Sequence, residues 1–159
     1  MAAAAVPVPR FRYSGFWKRL LALIIDGFVF TPVAVVLFAS TGIFGIILHP
    51  DPDRDFGAVL AAMVGVTILA MFLLLVAGHW LYYTLMESSR YQATLGKIVV
   101  GAIVTDLNGN RISFARANGR FFGKWISGVI FDIGFLMAAF TEKKQALHDI
   151  LAGCLVIQK

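Results

Sequence analysis

The chain has 159 residues, 59 % of them hydrophobic, with a mean hydropathy of +0.81 and a formal net charge of +5. Soluble domains are only about half apolar, and a fold this small cannot hide the surplus from water, so lipid must be the solvent for part of it. A lone cysteine, Cys154, excludes an internal disulfide framework and a Cys-rich metal site; the three histidines, His49, His79 and His148, share no ligand spacing, so no metal and no cofactor are expected.

The leader MAAAAVPVPRFRYSGFWKR joins a basic stretch to an apolar run longer than a signal-peptide core, with no small-residue cleavage site behind it. Residues 1–15 are expected to form a cytoplasmic tail, and the run from 16 a retained signal-anchor helix. About 20 apolar residues cross the hydrocarbon core of a bilayer. Residues 16–48 and 56–86 both exceed that length, predicting two transmembrane helices, and the prolines and charges of HPDPDRD (49–55) stop both of them in an outer loop. A connector, 87–120, leads to a third apolar segment, 121–140, interrupted by Lys124, Gly128, Asp132 and Gly134. A C-terminal segment, 141–159, follows.

Basic residues orient the chain. Arg10, Arg12, Lys18 and Arg19 flank the start of the first helix, and Arg90, Lys97, Arg111, Arg116, Arg120 and Lys124 lie beyond the second; the 49–55 loop has only Arg54 against three aspartates. The bias of Lys and Arg toward the cytoplasm puts the N-terminus and the connector inside and the loop outside. The predicted location is the bacterial cytoplasmic (inner) membrane, with anionic lipid at the cytoplasmic face as a partner.

Within the connector, KIVVGAIVTDLNGNRISF (97–114) has two β-branched runs joined through Asn108-Gly109, a favoured hairpin turn pair. GCLVIQK, at the C-terminus, is a third β-like run that could pair with the hairpin if it lies on the same side. A single third span would carry it outside, whereas Lys143 and Lys144 favour the inside. A helical hairpin that enters from the cytoplasm, turns near Asp132-Ile133-Gly134 and returns would satisfy both clues, since exposed backbone is tolerated at membrane depth where protein surrounds it. The predicted fold class is an all-α membrane protein: two long transmembrane helices plus a third helical segment, a re-entrant hairpin or a single span, with a small cytoplasmic β-hairpin.

Arg19 and Asp26 are two helical turns apart, on one face but roughly 10 Å from each other along the axis, too far for a direct ion pair. Each needs a partner elsewhere, because charged groups in a membrane face the interior of a bundle and pair there. Asp26 reads either as a packing carboxylate or as a proton- or cation-exchanging site. His79, among Trp80, Tyr82 and Tyr83, reads as an interfacial residue of an aromatic belt or as a proton relay. Asp132 lies deep in the third segment, eight residues beyond Lys124, as a structural contact or part of a polar path.

Other patterns carry less. Gly96-Lys97 lacks the glycine spacing and following hydroxyl of a phosphate loop, and no serine sits in a strained elbow, so no enzyme is expected. GRFFG (119–123) has small-xxx-small spacing but falls at the membrane edge. The basic connector is explained by orientation and anionic lipid, not by nucleic acid.

In order along the chain, GFWKRLLALIID (15–26), TLGKIVVGAIVTDLNGNRIS (94–113) and QALHDILAGCLVI (145–157) resemble the three signatures of the RDD family, small bacterial membrane proteins named for an arginine and two aspartates. The resemblance covers nearly the whole chain from Gly15. It implies that Arg19 is the arginine, Asp26 the first aspartate and Asp149 the second, with Thr94, Gly96, Lys97 and His148 as motif residues. Ile98 departs from it where a basic residue often follows Gly-Lys, and Cys154 where a small hydroxyl residue is common. It further implies a role connected with transport, cation/proton exchange having been attributed to some members while others look like accessory modules. An intramembrane polar cluster of Arg19, Asp26, Asp149, His79 and Asp132 is therefore expected.

Two functions compete. One is a non-enzymatic accessory or scaffold module that packs against other membrane proteins or itself, the cluster fixing helix register. The other is a cation/proton exchanger acting as an oligomer, its discontinuous third segment being a construction transporters use at ion sites.

Overall fold

The computed structural model describes residues 11–47, 54–129 and 133–159. Two long helices, α1 (Phe16–Ile47) and α2 (Arg54–Ser88), contain the stretches Phe16–Ser40 and Ala61–Ser88, long and apolar enough to cross a membrane. Their large side chains point outward, with Phe28, Val36, Val66 and Leu74 each more than half exposed, as expected of helices whose solvent is lipid. α2 ends where Ser88 and Ser89 turn their hydroxyls back onto the carbonyls of Thr84 and Met86, each at 2.7 Å.

After α2 come the short helix α3 (Leu95–Val99), strand β1 (Ala102–Asp106), helices α4 (Phe114–Val129), α5 (Ile133–Phe140) and α6 (Leu147–Leu151), and strand β2 (Cys154–Gln158). The chain separates into two compact units, one of residues 1–25 and 83–159, the other of 26–82.

In the first unit the small antiparallel sheet is present, with β1 paired to β2 from Ala102 opposite Gln158 to Asp106 opposite Cys154. The Asn108-Gly109 turn forms too, and the Asp106 amide bonds the Asn110 carbonyl at 2.8 Å. The expected return strand does not follow it. Ile112 instead sends its side chain into the core with Val104, Ala117, Cys154 and Val156, and the Ser113 hydroxyl accepts from the Arg116 amide at 3.2 Å, starting α4. The C-terminal run takes the place of the second hairpin strand. The first run, expected as a strand from 97 to the turn, is one only from Ala102: Thr94 caps α3, whose first turn then contains Lys97.

Residues 12–14, just ahead of α1, lie along the other edge of β2. The Ser14 amide donates to the Val156 carbonyl (2.8 Å) and the Gln158 amide to that of Arg12 (2.7 Å). The lead into α1, the end of α2 and the C-terminal strand thus all belong to one unit.

The third apolar segment begins earlier than the pattern suggests, at Phe114, and is two helices bent by 104°. Two glycines permit its packing. A Cβ on Gly134 would stand 2.6 Å from the Ser127 hydroxyl, so α5 touches α4 only because that atom is missing. A Cβ on Gly123 would stand 3.0 Å from that of His148, which lets α4 lie against α6. The GRFFG spacing thus serves, through Gly123, a contact within the chain.

Candidate functional site

On α1, Arg19, Ala22 and Asp26 fall at three- and four-residue intervals, one stripe of a helix. Ala22 and Asp26 are buried, and the Arg19 side chain is only 14 % exposed. The stripe serves two different environments.

Arg19 enters the first unit. Its guanidinium bonds the Ser14 carbonyl (3.0 Å), the Lys144 carbonyl (2.6 Å) and the Asp149 carboxylate. Asp149 is fully buried at the start of α6, where the same Oδ2 accepts the Ala146 amide at 3.1 Å. Its other oxygen accepts from Arg120 Nε at 2.7 Å. Arg120 reaches the opposite way with Nη1, 2.5 Å from Glu87 Oε2, and the remaining Glu87 oxygen takes the Lys97 ammonium. Lys124, one turn after Arg120, stands with Nζ 3.8 Å from Glu87 Oε1 and 3.9 Å from the centre of the Tyr83 ring. A continuous chain of opposite charges, Arg19, Asp149, Arg120, Glu87 and Lys97, therefore joins α1, α6, α4, α2 and α3.

Such a cluster is tolerated away from water only where every charge has partners, since desolvating two ions costs more than an imperfect pair returns. Asp149 is shared by two arginines, and Glu87 by Arg120, Lys97 and Lys124. Burial works to raise the Asp149 carboxyl, but Arg120 and Arg19 outweigh it and hold the group well below the usual carboxylate range. His148 beside it is the reverse case: burial is the main cause that pushes the imidazole down to about 3, with Arg120, Lys124 and Arg19 adding to the effect and Asp149 opposing it. The ring is therefore neutral, stacked at a tilt on Phe135 with centroids 5.0 Å apart, and its Nδ1 is buried without a hydrogen-bond partner among the described residues. Cys154 is inert by the same logic, its thiol raised to about 11 by burial.

Asp26 belongs to the second unit. It is buried, and the Tyr82 hydroxyl donates to its Oδ1 at 2.8 Å. Phe30, one turn on, lies against both Tyr82 and His79, with ring centroids 5.1 Å and 5.0 Å away. Asp132 lies outside the described residues. Of the five expected members of one polar cluster, Arg19 and Asp149 meet directly, while Asp26 and His79 are found around Phe30 and Tyr82.

Glu87, Arg120 and Lys124 were absent from the expected site, and Lys97 entered it only as a motif residue. On sequence alone Lys97 and Arg120 read as orienting charges, and Lys124 also as a partner for Asp132 eight residues on. A signal for Arg120 does exist: Ala117, Arg120, Phe121, Lys124 and Ser127 share one face of α4, which is the face that turns inward. Among the described residues no group of three or more His, Cys, Asp or Glu side chains could hold a metal.

The three resembling segments thus converge, through Arg19, Lys97 and Asp149, on one buried cluster. A model of the RDD family matches residues 13–153. The chain belongs to the RDD family. Among its relatives in Bacillus subtilis (strain 168), the uncharacterized protein YxaI is 37 % identical over 148 residues, covering 92 % of this chain and 97 % of that protein. The uncharacterized membrane protein YteJ is 27 % identical over 154 residues, 92 % of this chain and 82 % of its own. No solved structure matches. This RDD protein is a membrane protein, with two apolar helices of spanning length and a bent third pair. In it Arg19 and Asp149 form one ion pair, and Asp26 lies two turns further along α1 from Arg19.

Proposed function

We propose that this RDD protein is a non-enzymatic accessory or scaffold module of the bacterial cytoplasmic membrane, with its N-terminus inside, that packs against a larger membrane assembly. The observation that carries this reading is the saturation of the ion cluster. Asp149 is clamped by two cations and Glu87 by three, and Asp149 is held ionised far below neutral pH, so neither is suited to loading and releasing a proton or cation. The cluster's chemistry is that of a register lock, which fastens the start of α1, the end of α2 and three short helices into one unit. The basic residues still exposed near that unit, Lys18, Arg90, Arg111 and Arg116, favour a cytoplasmic orientation. The re-entrant form of the third segment is favoured by the 104° bend and by the C-terminal strand lying beside residues 12–14, on the side from which α1 starts.

A second reading, a cation/proton exchanger, is favoured by Asp26, a buried carboxylate on a spanning helix whose hydroxyl partner is neutral. One experiment separates the two. Purified protein is reconstituted into vesicles, and pH-gradient-driven cation flux is recorded for wild type and Asp26→Asn, alongside the mass of the assembly extracted from native membranes in mild detergent. The scaffold reading expects no flux from either protein and co-migration with a larger complex. Flux in wild type that Asp26→Asn abolishes, from a protein that migrates alone, would establish the exchanger instead.

A further inference from the structure

We infer that α3 lies in the interfacial layer of the bilayer, so that the segment joining α2 to β1 is seated in lipid and is not a water-exposed connector. The inference starts from the polarity of its five residues. Leu95, Ile98 and Val99 fall within one arc of the helix and are 44, 46 and 69 % exposed, whereas Gly96 and Lys97 face inward and are buried. A surface helix in water does the opposite, turning its lysine out and its aliphatic side chains in. Lys97 has surrendered its hydration to reach Glu87 while three aliphatic groups remain uncovered. That arrangement is favourable only if the medium outside is apolar, where a charged group must turn to the protein interior.

Three further observations name lipid as the medium. Exposed apolar side chains also precede it in the chain: Leu85 in the last turns of α2 is exposed, and Tyr91 follows, half exposed. The same polarity returns on α4, where Phe122, Trp125, Ile126 and Val129 face outward and Arg120 faces inward. The flanks also have the character of a bilayer surface. Arg90 donates to the Tyr91 hydroxyl at 2.9 Å and stacks on its ring, Trp17 is 78 % exposed beside exposed Lys18, and Arg111 and Arg116 are exposed. Aromatic rings and basic side chains of this kind anchor protein at the headgroup level, above aliphatic groups immersed at the acyl boundary.

The test places nitroxide labels at single cysteines in a Cys154→Ala background, with the protein in nanodiscs containing anionic lipid. Val99→Cys reports on α3, Leu85→Cys gives a lipid-facing reference on α2, and Asn108→Cys gives a water-facing reference at the turn. The expected result is a ratio of oxygen to nickel-chelate collisions at 99 several-fold above that at 108 and close to that at 85. A label at 99 that behaves like 108 overturns the inference. So does one shielded from both reagents, which would mean that a protein surface covers α3. A second measurement needs no substitution. Wild-type protein reconstituted with a phospholipid bearing a photoreactive group at the top of its acyl chain is irradiated and digested with trypsin, which cuts after Lys97 and Arg111. Lipid adducts on Ile98 and Val99 of the resulting peptide are expected; adducts absent there while present on Leu85 would overturn the inference independently of any variant's folding.

Discussion

The two units of this protein treat buried acids in different ways, although one helix feeds both. Asp149 in the first unit is held by two cations and Glu87 by three, whereas Asp26 in the second accepts a hydrogen bond from a phenol. The difference decides what a substitution leaves behind. Neutralising an acid in the first unit takes the shared partner from two or three positive charges that lie away from water. Neutralising Asp26 leaves Tyr82 with an amide oxygen to which it can still donate.

The largest expected effect is that of Asp149→Ala. It leaves Arg19 and Arg120 without their common partner and removes the bond that ties the start of α6 at Ala146. Breaking a buried pair from one side costs about 3 to 5 kcal/mol. In detergent the variant should unfold at a much lower temperature, or fail to accumulate in membranes at all. A thermal midpoint within a few degrees of wild type would mean that the cluster is not a lock. Next comes Glu87→Gln, expected to cost about 3 kcal/mol for the same reason. Here a cycle sharpens the comparison. Adding Lys97→Met removes one stranded charge, so the double variant should be less destabilised than the sum of the singles, with a coupling of about 1 to 3 kcal/mol. Additive effects would show that Lys97 and Glu87 do not depend on each other.

Acid should weaken the first unit in a defined window. The His148 imidazole is pushed down to about 3 in the folded protein, so between that value and the ordinary 6.5 the unfolded chain binds the extra proton. Stability then rises with pH across the window and falls as pH drops through it. Each pH unit below 6.5 costs about 1.4 kcal/mol, so going from pH 7 to 5 should cost about 2 kcal/mol. Asp149, whose folded value is depressed, contributes stability that is present above the unfolded carboxylate range and is lost as pH falls further, a loss of the same sign in a lower window. Unfolding midpoints of wild type and His148→Gln measured from pH 7 to 5 check this: the variant should be flatter, and parallel curves would assign the acid sensitivity elsewhere.

How much of this was legible in the sequence follows from the kind of signal each feature emits. The two long helices and the family were legible, the first from hydropathy and the second from motifs quoted residue by residue; those motifs named Arg19 and Asp149 as members of one cluster without specifying that they pair. Arg120 was not legible, because a basic residue near a membrane has two explanations and composition cannot separate them. Arg120 counts equally toward orientation whether it points at a headgroup or at a carboxylate 33 positions earlier in the chain. Only the periodicity of α4 discriminates, by putting Arg120 on the face shared with Ala117 and Ser127. The first part of the run expected as a strand from 97 shows the same limit, since it is helical up to Val99. Its β-branched residues carry a weak preference, and a capping threonine together with the pull of Glu87 on Lys97 overrides it. The hairpin turn was read correctly from Asn108-Gly109, but a turn does not specify that its outgoing arm will pair. Ile112 is worth more in the core, and Ser113 more as the start of a helix.

The smallest expected effect tests the comparison from the other side. Asp26→Asn retains the shape of the side chain and an oxygen for the Tyr82 hydroxyl at the position of Oδ1. What it loses is the difference between a charged and a neutral acceptor, about 1 kcal/mol. Tyr82→Phe should cost a similar amount, because it leaves a buried carboxylate short of one donor, and the pair should couple: with Asn at 26, removing the hydroxyl should matter less than with Asp. If Asp26→Asn is as damaging as Asp149→Ala, Asp26 is held by charge after all and the two units obey one rule. If it is nearly silent for stability, Asp26 differs from the locked carboxylates in a way that packing does not require. Its role then has to be sought outside packing, which makes this same variant the one to carry into the flux measurement.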